Sequence, residues 1–426
     1  MHLFYMVTNM QNQSVLVINC GSSSVKFSLI NPISGKTQLT ALAERLLSDE
    51  ASLTINKNEQ PLPEPFDHKA AINALVHYLQ EQQLINDINV VGHRIVHGGE
   101  RYSEPTLITE EVLSNINALA NLAPLHNPAN VIGIEAAQLS FQGLPQVAVF
   151  DTAFHQTMPE KAYLYGIPYP LYQEHKIRRY GFHGTSHYYV AQQAALKMKK
   201  PLAECNFISA HLGNGCSITA IKKGESVDTS LGFTPLEGVM MGTRSGDLDA
   251  GIIFYLVQQL GYSLTQVNNL LNQKSGLLGL SQLSNDCRTL EQALQGKNLQ
   301  QKGQAQLALD IFCYRIAKQI AAYSVVFNQL DGLIFTGGIG ENSMFIRENI
   351  IKQLSLLNFD VDADKNAAMR FGQSGEIQTA GSRLCWVIPT NEEWVIAEQS
   401  HQLAKQLSQQ SAPTLITTPV GLNNVE

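Results

Sequence analysis

Along most of the chain, short apolar runs alternate with stretches in which hydrophobic residues recur every three or four positions. The first clear run, Val15-Leu16-Val17-Ile18-Asn19, breaks at Cys20-Gly21-Ser22-Ser23-Ser24 and resumes at Val25-Lys26-Phe27-Ser28-Leu29-Ile30. β-Branched and aromatic residues on both sides of a small-residue break predict a hairpin with a Gly/Ser tip. Ile72, Leu75, Val76 and Leu79 fall at i, i+3, i+4 and i+7, the spacing of one face of an amphipathic helix over 68–84. Val147-Ala148-Val149-Phe150 reads as a short buried strand with Asp151 at its carboxyl end, where open α/β sheets place ligand-facing residues.

The opening pattern returns near residue 205. Phe207-Ile208-Ser209-Ala210-His211 is followed by Leu212-Gly213-Asn214-Gly215 and then by Cys216-Ser217-Ile218-Thr219-Ala220-Ile221. Strand, small-residue turn and strand thus occur once in each half, and an internal duplication explains both, with two hairpins able to grip one polyphosphate from opposite sides. Leu309, Phe312, Cys313, Ile316, Ile320 and Tyr323 mark a helix in 306–327. Leu333-Ile334-Phe335-Thr336 then leads into Gly337-Gly338-Ile339-Gly340-Glu341-Asn342 and a helical pattern from Ser343, so that a strand, a Gly-rich turn and a helix N-terminus are expected. The alternation of strands and helices throughout predicts α/β architecture.

With 426 residues, the chain is too long for one ordinary core and suggests two domains. At 44% hydrophobic and 15% charged, it can fill both. A net charge of −7 offers nucleic acid no counterion-displacing surface, so local donors must hold any phosphate ligand. No run of 18 apolar residues occurs, and no membrane-spanning helix is expected. The apolar start Met1 to Val7 lacks a basic leader and reads as no export signal; residues 1–13 are expected to form a disordered lead, with Met6 or Met10 as alternative starts, and the polar tail beyond about 405 to fray. Six scattered cysteines without a C-x-x-C pair suit neither zinc nor a disulfide framework, and a reducing cytoplasm is the expected compartment.

Glycine-rich segments matter because phosphate oxygens need several N–H groups at close range, where a Cβ would intrude. Neither a Walker A sequence nor a dinucleotide fingerprint is present. Two arginines have unusual surroundings: Arg94 in Gly92-His93-Arg94-Ile95-Val96-His97-Gly98-Gly99, and Arg244 in Met240-Met241-Gly242-Thr243-Arg244-Ser245-Gly246-Asp247. Each alone is more often a structural ion pair, but permanently charged planar forks suit carboxylate and phosphate oxygens. His93, His97, His126, His183, His187 and His211 cluster in the same stretches without a helical zinc spacing. Asp151, Asp286, Glu392 and Glu393 are candidates for Mg²⁺, which needs one or two carboxylates beside phosphate oxygens and water.

At this point the residues resemble the acetate kinases, within the superfamily of sugar kinases, actin and the Hsp70 ATPase domain. The matching stretches are VLVINCGSSSVKF from Val15, GHRIVHGGE from Gly92, LAPLHN from Leu122 and VFDTAFH from Val149, followed by YGFHGTSH from Tyr180 and HLGNG from His211. GFTPLEGVMMGTRSGDLD from Gly232, GIGEN from Gly338 and TNEE from Thr390 complete them, spanning about 14–400. The resemblance implies two duplicated actin-like, ribonuclease H-like ATPase domains with a cleft between them. The first is expected over 14–151, completed by a C-terminal helix at about 394–406, and the second, nucleotide-binding one over 152–393.

Residue by residue, the resemblance implies that Asn19 and Glu392 serve the magnesium, for which manganese can substitute, and that Ser22, Ser24 and Lys26 border the phosphates. His211, Leu212, Gly213, Asn214 and Gly215, Asp286, Cys287 and Arg288, and Gly338, Ile339, Gly340, Glu341 and Asn342 would contact ATP. Arg94 and Arg244 would hold the acetate carboxylate and the moving phosphoryl group, and His183 would stabilise the transition state. Asp151 is usually given as proton donor or acceptor, but a carboxylic acid is already ionised at pH 7, so a positioning role is expected here. An apolar cup of Val96, Leu125, Phe182 and Pro235 would set substrate size. A homodimer is also implied. The alternatives are a propionate or other short-chain carboxylate kinase and, from another class, an ATP-dependent binding protein of the Hsp70 or actin type. The latter lacks the arginine pair and, for a chaperone, needs a further peptide-binding domain for which this chain leaves no room.

Overall fold

The computed structural model describes residues 13–123 and 126–410. The expected lead and alternative starts, Leu125 of the apolar cup and the tail after 410 lie outside those residues. Two sheets organise the rest. The first contains β1 (Ser14–Cys20), β2 (Val25–Ile30), β3 (Thr37–Glu44), β4 (Ser52–Ile55), β5 (Asn58–Pro61), β6 (Ile88–Ile95), β7 (Thr106–Leu107) and β8 (Gln146–Phe150), in the order β5-β4-β3-β2-β1-β6-β8-β7. The second contains β9 (Asn206–Leu212), β10 (Cys216–Lys222), β11 (Glu225–Thr229), β12 (Gly332–Thr336), β13 (Gly375–Glu376) and β14 (Leu384–Val387), in the order β11-β10-β9-β12-β14-β13.

The duplication expected from the two hairpins is present strand for strand. In the first sheet β1 runs antiparallel to β2, β2 to β3, and β1 is parallel to β6, as β6 is to β8. In the second, β9 runs antiparallel to β10, β10 to β11, and β9 is parallel to β12, as β12 is to β14. Asn19 stands opposite Lys26 near the tip of the first hairpin, and His211 stands opposite Ser217 near the tip of the second.

Strand β1 is buried almost throughout because helices cover both of its faces. Successive side chains point to opposite sides of a strand. Leu16, Ile18 and Cys20 accordingly join a core with Ile72, Leu75 and Leu79 of the helix His68–Glu81, whereas Val15 and Val17 pack with Ile396 and Ala397 of the helix Glu392–Gln410. That last helix therefore belongs to the first sheet although the second sheet precedes it in sequence. It starts two residues before the expected 394, because Asn391 Oδ1 accepts the backbone N–H of Trp394 at 3.1 Å and caps it. Glu392 and Glu393 thus occupy its first turn.

The predicted helix in 306–327 runs over Leu299–Tyr323, with Leu309, Phe312, Cys313, Ile316, Ile320 and Tyr323 all buried. Its earlier start follows from Asn298, whose side chain accepts from the N–H groups of Gln300 and Gln301. The Gly-rich segment differs more from expectation. Gly337–Asn342 is itself a short helix directly after β12, and Ser343 caps the next helix, Met344–Ile351.

Burial has a consequence for acid stability. His93, His97 and His155 lie inside the first half and its junction, and desolvation lowers each imidazole to about 4. In the unfolded chain the same rings take up protons near 6.5. The folded state therefore binds fewer protons between these values, so their contribution to stability is complete above 6.5 and is lost as pH falls toward 4. The urea midpoint is expected to drop steeply from about pH 6.5 to about pH 4.5. A midpoint unchanged over that interval would contradict the burial of these rings.

Candidate active site

The first half contributes an ion pair at the carboxyl ends of adjacent parallel strands. Arg94 Nη2 donates to Asp151 Oδ2 at 2.6 Å, and Nη1 lies 3.4 Å from Asn19 Oδ1. Asp151 is only 1% exposed. Burial by itself disfavours the guanidinium charge, but Asp151, Glu392 and Glu393 outweigh that and raise the Arg94 pKa. Glu393 pairs with Lys26. Burial, then the nearby Asp151, push the Glu392 carboxyl up to about 7, with Arg94 opposing.

The second half presents His183 and Arg244. His183 has a left-handed backbone, φ 56°, at the N-terminus of the helix Gly184–Met198, which projects its ring into the cleft rather than along the helix. The next residue has to be glycine: a Cβ on Gly184 would stand 2.4 Å from the carbonyl oxygen of Asp151, which accepts the Gly184 N–H. This contact ties the His183 helix to the strand end that carries Asp151. The His183 ring stacks on His211, centroids 4.2 Å apart.

Arg244 sits on a loop locked by several backbone contacts. Met241 N–H donates to Arg244 O, and Gly242 N–H to Asn214 O. At Gly242 a Cβ would fall 2.0 Å from Asn214 Oδ1, so a larger residue there would displace the Asn214 side chain. The guanidinium Nη1 donates to Pro235 O at 3.1 Å, and no carboxylate among the described residues pairs with it. A Cβ on Gly215 would be 3.5 Å from both Arg244 Nη1 and His183 Cε1, so the three residues meet at one point. Both Arg94 and Arg244 act on His183 and on His126, lowering the proton affinity of each, with burial the larger cause in both. Both arginines therefore lie within electrostatic reach of the same two rings.

Arg94 and His183 line one cavity, and the tip of the second hairpin lines another. One of about 300 Å³ is lined by Asn19, Lys26, Arg94, His183, His211, Glu392 and Glu393. The other, of about 540 Å³, is lined in part by Gly213, Asn214, Asp286, Cys287, Arg288, Gly338, Ile339 and Asn342. Half of the expected nucleotide contacts thus surround one volume. Several expected residues do something else. Ser22 and Ser24 line neither cavity. Leu212 is buried in the core, Gly340 O accepts from the buried Arg347, and Glu341 Oε1 accepts from the N–H groups of Gly337 and Thr390. Val96 and Phe182 share one apolar cluster with Met240, and Pro235 holds Arg244.

Asn285, Glu291, Arg370 and Phe371 also line the larger cavity and were not foreseen. Phe371 is 80% exposed at its lip, with the Arg370 guanidinium 4.8 Å from its ring. An isolated aromatic in a polar stretch was the only sequence signal.

Residues 14–398 match the acetokinase family. The chain belongs to that family. An acetate kinase of Shewanella frigidimarina (strain NCIMB 400) is 55% identical over 400 residues, covering 92% of this chain and 99% of the relative. Among solved structures, Porphyromonas gingivalis acetate kinase is 39% identical with a TM-score of 0.87, and a propionate kinase from Francisella tularensis subsp. tularensis SCHU S4 is 46% identical with a TM-score of 0.86; each pairs 92% of this chain with 99% of its own. The α/β fold with two ATPase-like halves expected from the resemblance is the fold of these kinases.

Proposed function

We propose that this acetokinase is an acetate kinase, which reversibly transfers the terminal phosphoryl group of ATP to the carboxylate of acetate, giving acetyl phosphate and ADP. The observation that carries this reading is Arg244: a half-buried guanidinium, held by a carbonyl and lacking a carboxylate partner among the described residues, opposite an arginine that has one. An unpaired cation so placed is suited to an anion that comes and goes. ATP occupies the larger cavity, with its phosphates directed toward Arg94, His183 and Arg244. Acetate enters beside Val96, Phe182 and Pro235 as the carboxylate and needs no base, so Asp151 serves to fix Arg94. Transfer is direct and in line, with positioning and charge neutralisation supplying the catalysis.

Asn19 and Glu392 suit Mg²⁺, with Mn²⁺ as substitute: a carboxyl held up to about 7 beside Asp151 gains from a neighbouring cation, and the amide oxygen of Asn19 faces the same cavity. Among the described residues no three His, Cys, Asp or Glu side chains form a metal cage, so phosphate oxygens and water would complete the shell. When bound, the ion would neutralise charge on the triphosphate. The halves, 14–151 with the C-terminal helix and 152–393, act as two bodies closing over the substrates. Two copies pair through the helix Gly251–Gln258, none of whose residues is buried and which exposes Ile252, Phe254 and Tyr255; sedimentation would report a single-chain mass if this were wrong. Six buried free cysteines fit a reducing cytoplasm, and no helix among the described residues is long and apolar enough to cross a membrane.

Incubation with ATP, Mg²⁺ and acetate in the presence of hydroxylamine tests the proposal. The expected product is the acyl hydroxamate, with kcat/KM for acetate above that for propionate by about 10-fold or more, the worth of one methylene in a tight apolar cup. A preference for propionate would favour the other activity named among its relatives, and ATP hydrolysis without hydroxamate would end the carboxylate-kinase reading.

A further inference from the structure

His183 meets the cleft with one ring nitrogen and the protein interior with the other. Its Nδ1 lies 2.9 Å from Ser217 Oγ, and its Nε2 lies on the side of Gly215 and Arg244. Ser217 Oγ is also 2.7 Å from His187 Nε2, and His187 Nδ1 is 2.6 Å from Ser209 Oγ. Ser217, His187 and Ser209 are all 0% exposed, so no solvent competes for these bonds.

The chemistry of the partners settles how protons run along this chain. Burial first, then neighbouring imidazoles and, for His183, both arginines hold the two rings well below their usual proton affinity, so each is neutral and has one N–H. A hydroxyl has one proton to give. For His183 to offer an N–H to an anionic phosphoryl group, that proton must be on Nε2, and Nδ1 must then accept. Ser217 therefore donates to His183 Nδ1 and accepts from His187 Nε2–H, and His187 Nδ1 accepts from Ser209. The opposite direction would turn a lone pair on His183 toward the phosphoryl oxygens.

We propose that Ser217 is a positioning residue for phosphoryl transfer: by donating its hydroxyl proton to Nδ1 it fixes His183 in the tautomer whose Nε2–H faces the cleft. Which ring nitrogen carries the proton is set by the hydrogen bond made at the other. His183 leaves its left-handed backbone with its ring held by the His211 stack on one side and the Ser217 bond at Nδ1. Ser217 stands where the first hairpin has Lys26, so equivalent positions of the duplicated hairpins serve the same site in different ways.

This inference rests on the kinase reading of the site. Its test combines kinetics with histidine ¹⁵N NMR of the substrate-free full chain. Ser217→Ala is expected to lower kcat by ~10- to 100-fold, with both KM values within about threefold, as for other partners that orient an acting imidazole. Thr219→Val removes an equally buried hydroxyl of the same strand, bonded to Thr229 rather than to an imidazole, and is expected to leave kcat unchanged. In the unsubstituted protein His183 is expected as the Nε2–H tautomer, and in Ser217→Ala as a mixture. An Nδ1–H His183 in the unsubstituted protein, normal turnover of Ser217→Ala, or an equal loss in Thr219→Val would each overturn the proposal. Failure of the kinase reading would appear separately, as absent turnover in the unsubstituted protein, while the tautomer remains readable.

Discussion

Replacement of Arg244 by alanine is expected to lower kcat by about 10³-fold while the KM for ATP stays within a few-fold. The guanidinium is anchored on Pro235 O, next to Gly215 and His183, and lies outside the set of side chains that line the larger cavity. On the proposed reading its charge is therefore expected to act on the moving phosphoryl group rather than on the nucleotide. Stability should hardly change, because no ion pair is broken and burial already works against this charge. Steady-state kinetics together with thermal melting check both parts. Near-normal turnover would remove Arg244 from the chemistry.

Arg94→Ala should behave differently although it removes the same group. Turnover falls by a similar factor, but Asp151, 1% exposed, loses the guanidinium that donates to it at 2.6 Å. Leaving one member of a buried pair uncompensated costs about 3–5 kcal/mol. A marked drop in Tm is expected, and the double replacement Arg94→Ala/Asp151→Ala should recover much of it without recovering turnover. Such non-additivity in stability alone identifies Asp151 as the support of Arg94. Were Asp151→Ala by itself to leave both stability and turnover unchanged, that role would be untenable.

The parts of the fold that were legible in the sequence are those in which packing repeats at short range. The hairpin β1–β2 and the inner face of the long helix Leu299–Tyr323 show their periods because every second or every third to fourth residue enters one core. The first turn of that helix was not legible: Leu299, Gln300, Gln301 and Lys302 are all exposed, and a single capping asparagine sets where the helix starts. Gly337 to Asn342 reads as a turn by composition. Gly337 instead takes a positive φ of 75° at the strand exit, and Glu341 closes back on its N–H, so the glycines begin a helix at once. Arg94 and Arg244 stood out because apolar residues and glycines surround them. That Arg94 would be bound to Asp151 depends on strands β6 and β8 lying side by side, which spacing along the chain does not reveal. Phe371 and Arg370 escaped notice for a similar reason: they reach the larger cavity from a segment with no regular pattern.

Two guanidinium groups and a neutral imidazole in one site favour a single displacement at phosphorus, in which the acid attacks opposite the departing ADP. The most direct measurement is the stereochemical course of the reaction, followed with ATP whose γ-phosphoryl group is made chiral with oxygen isotopes. One in-line transfer predicts inversion of configuration. Retention would mean two successive displacements through a phosphorylated side chain and would contradict direct transfer.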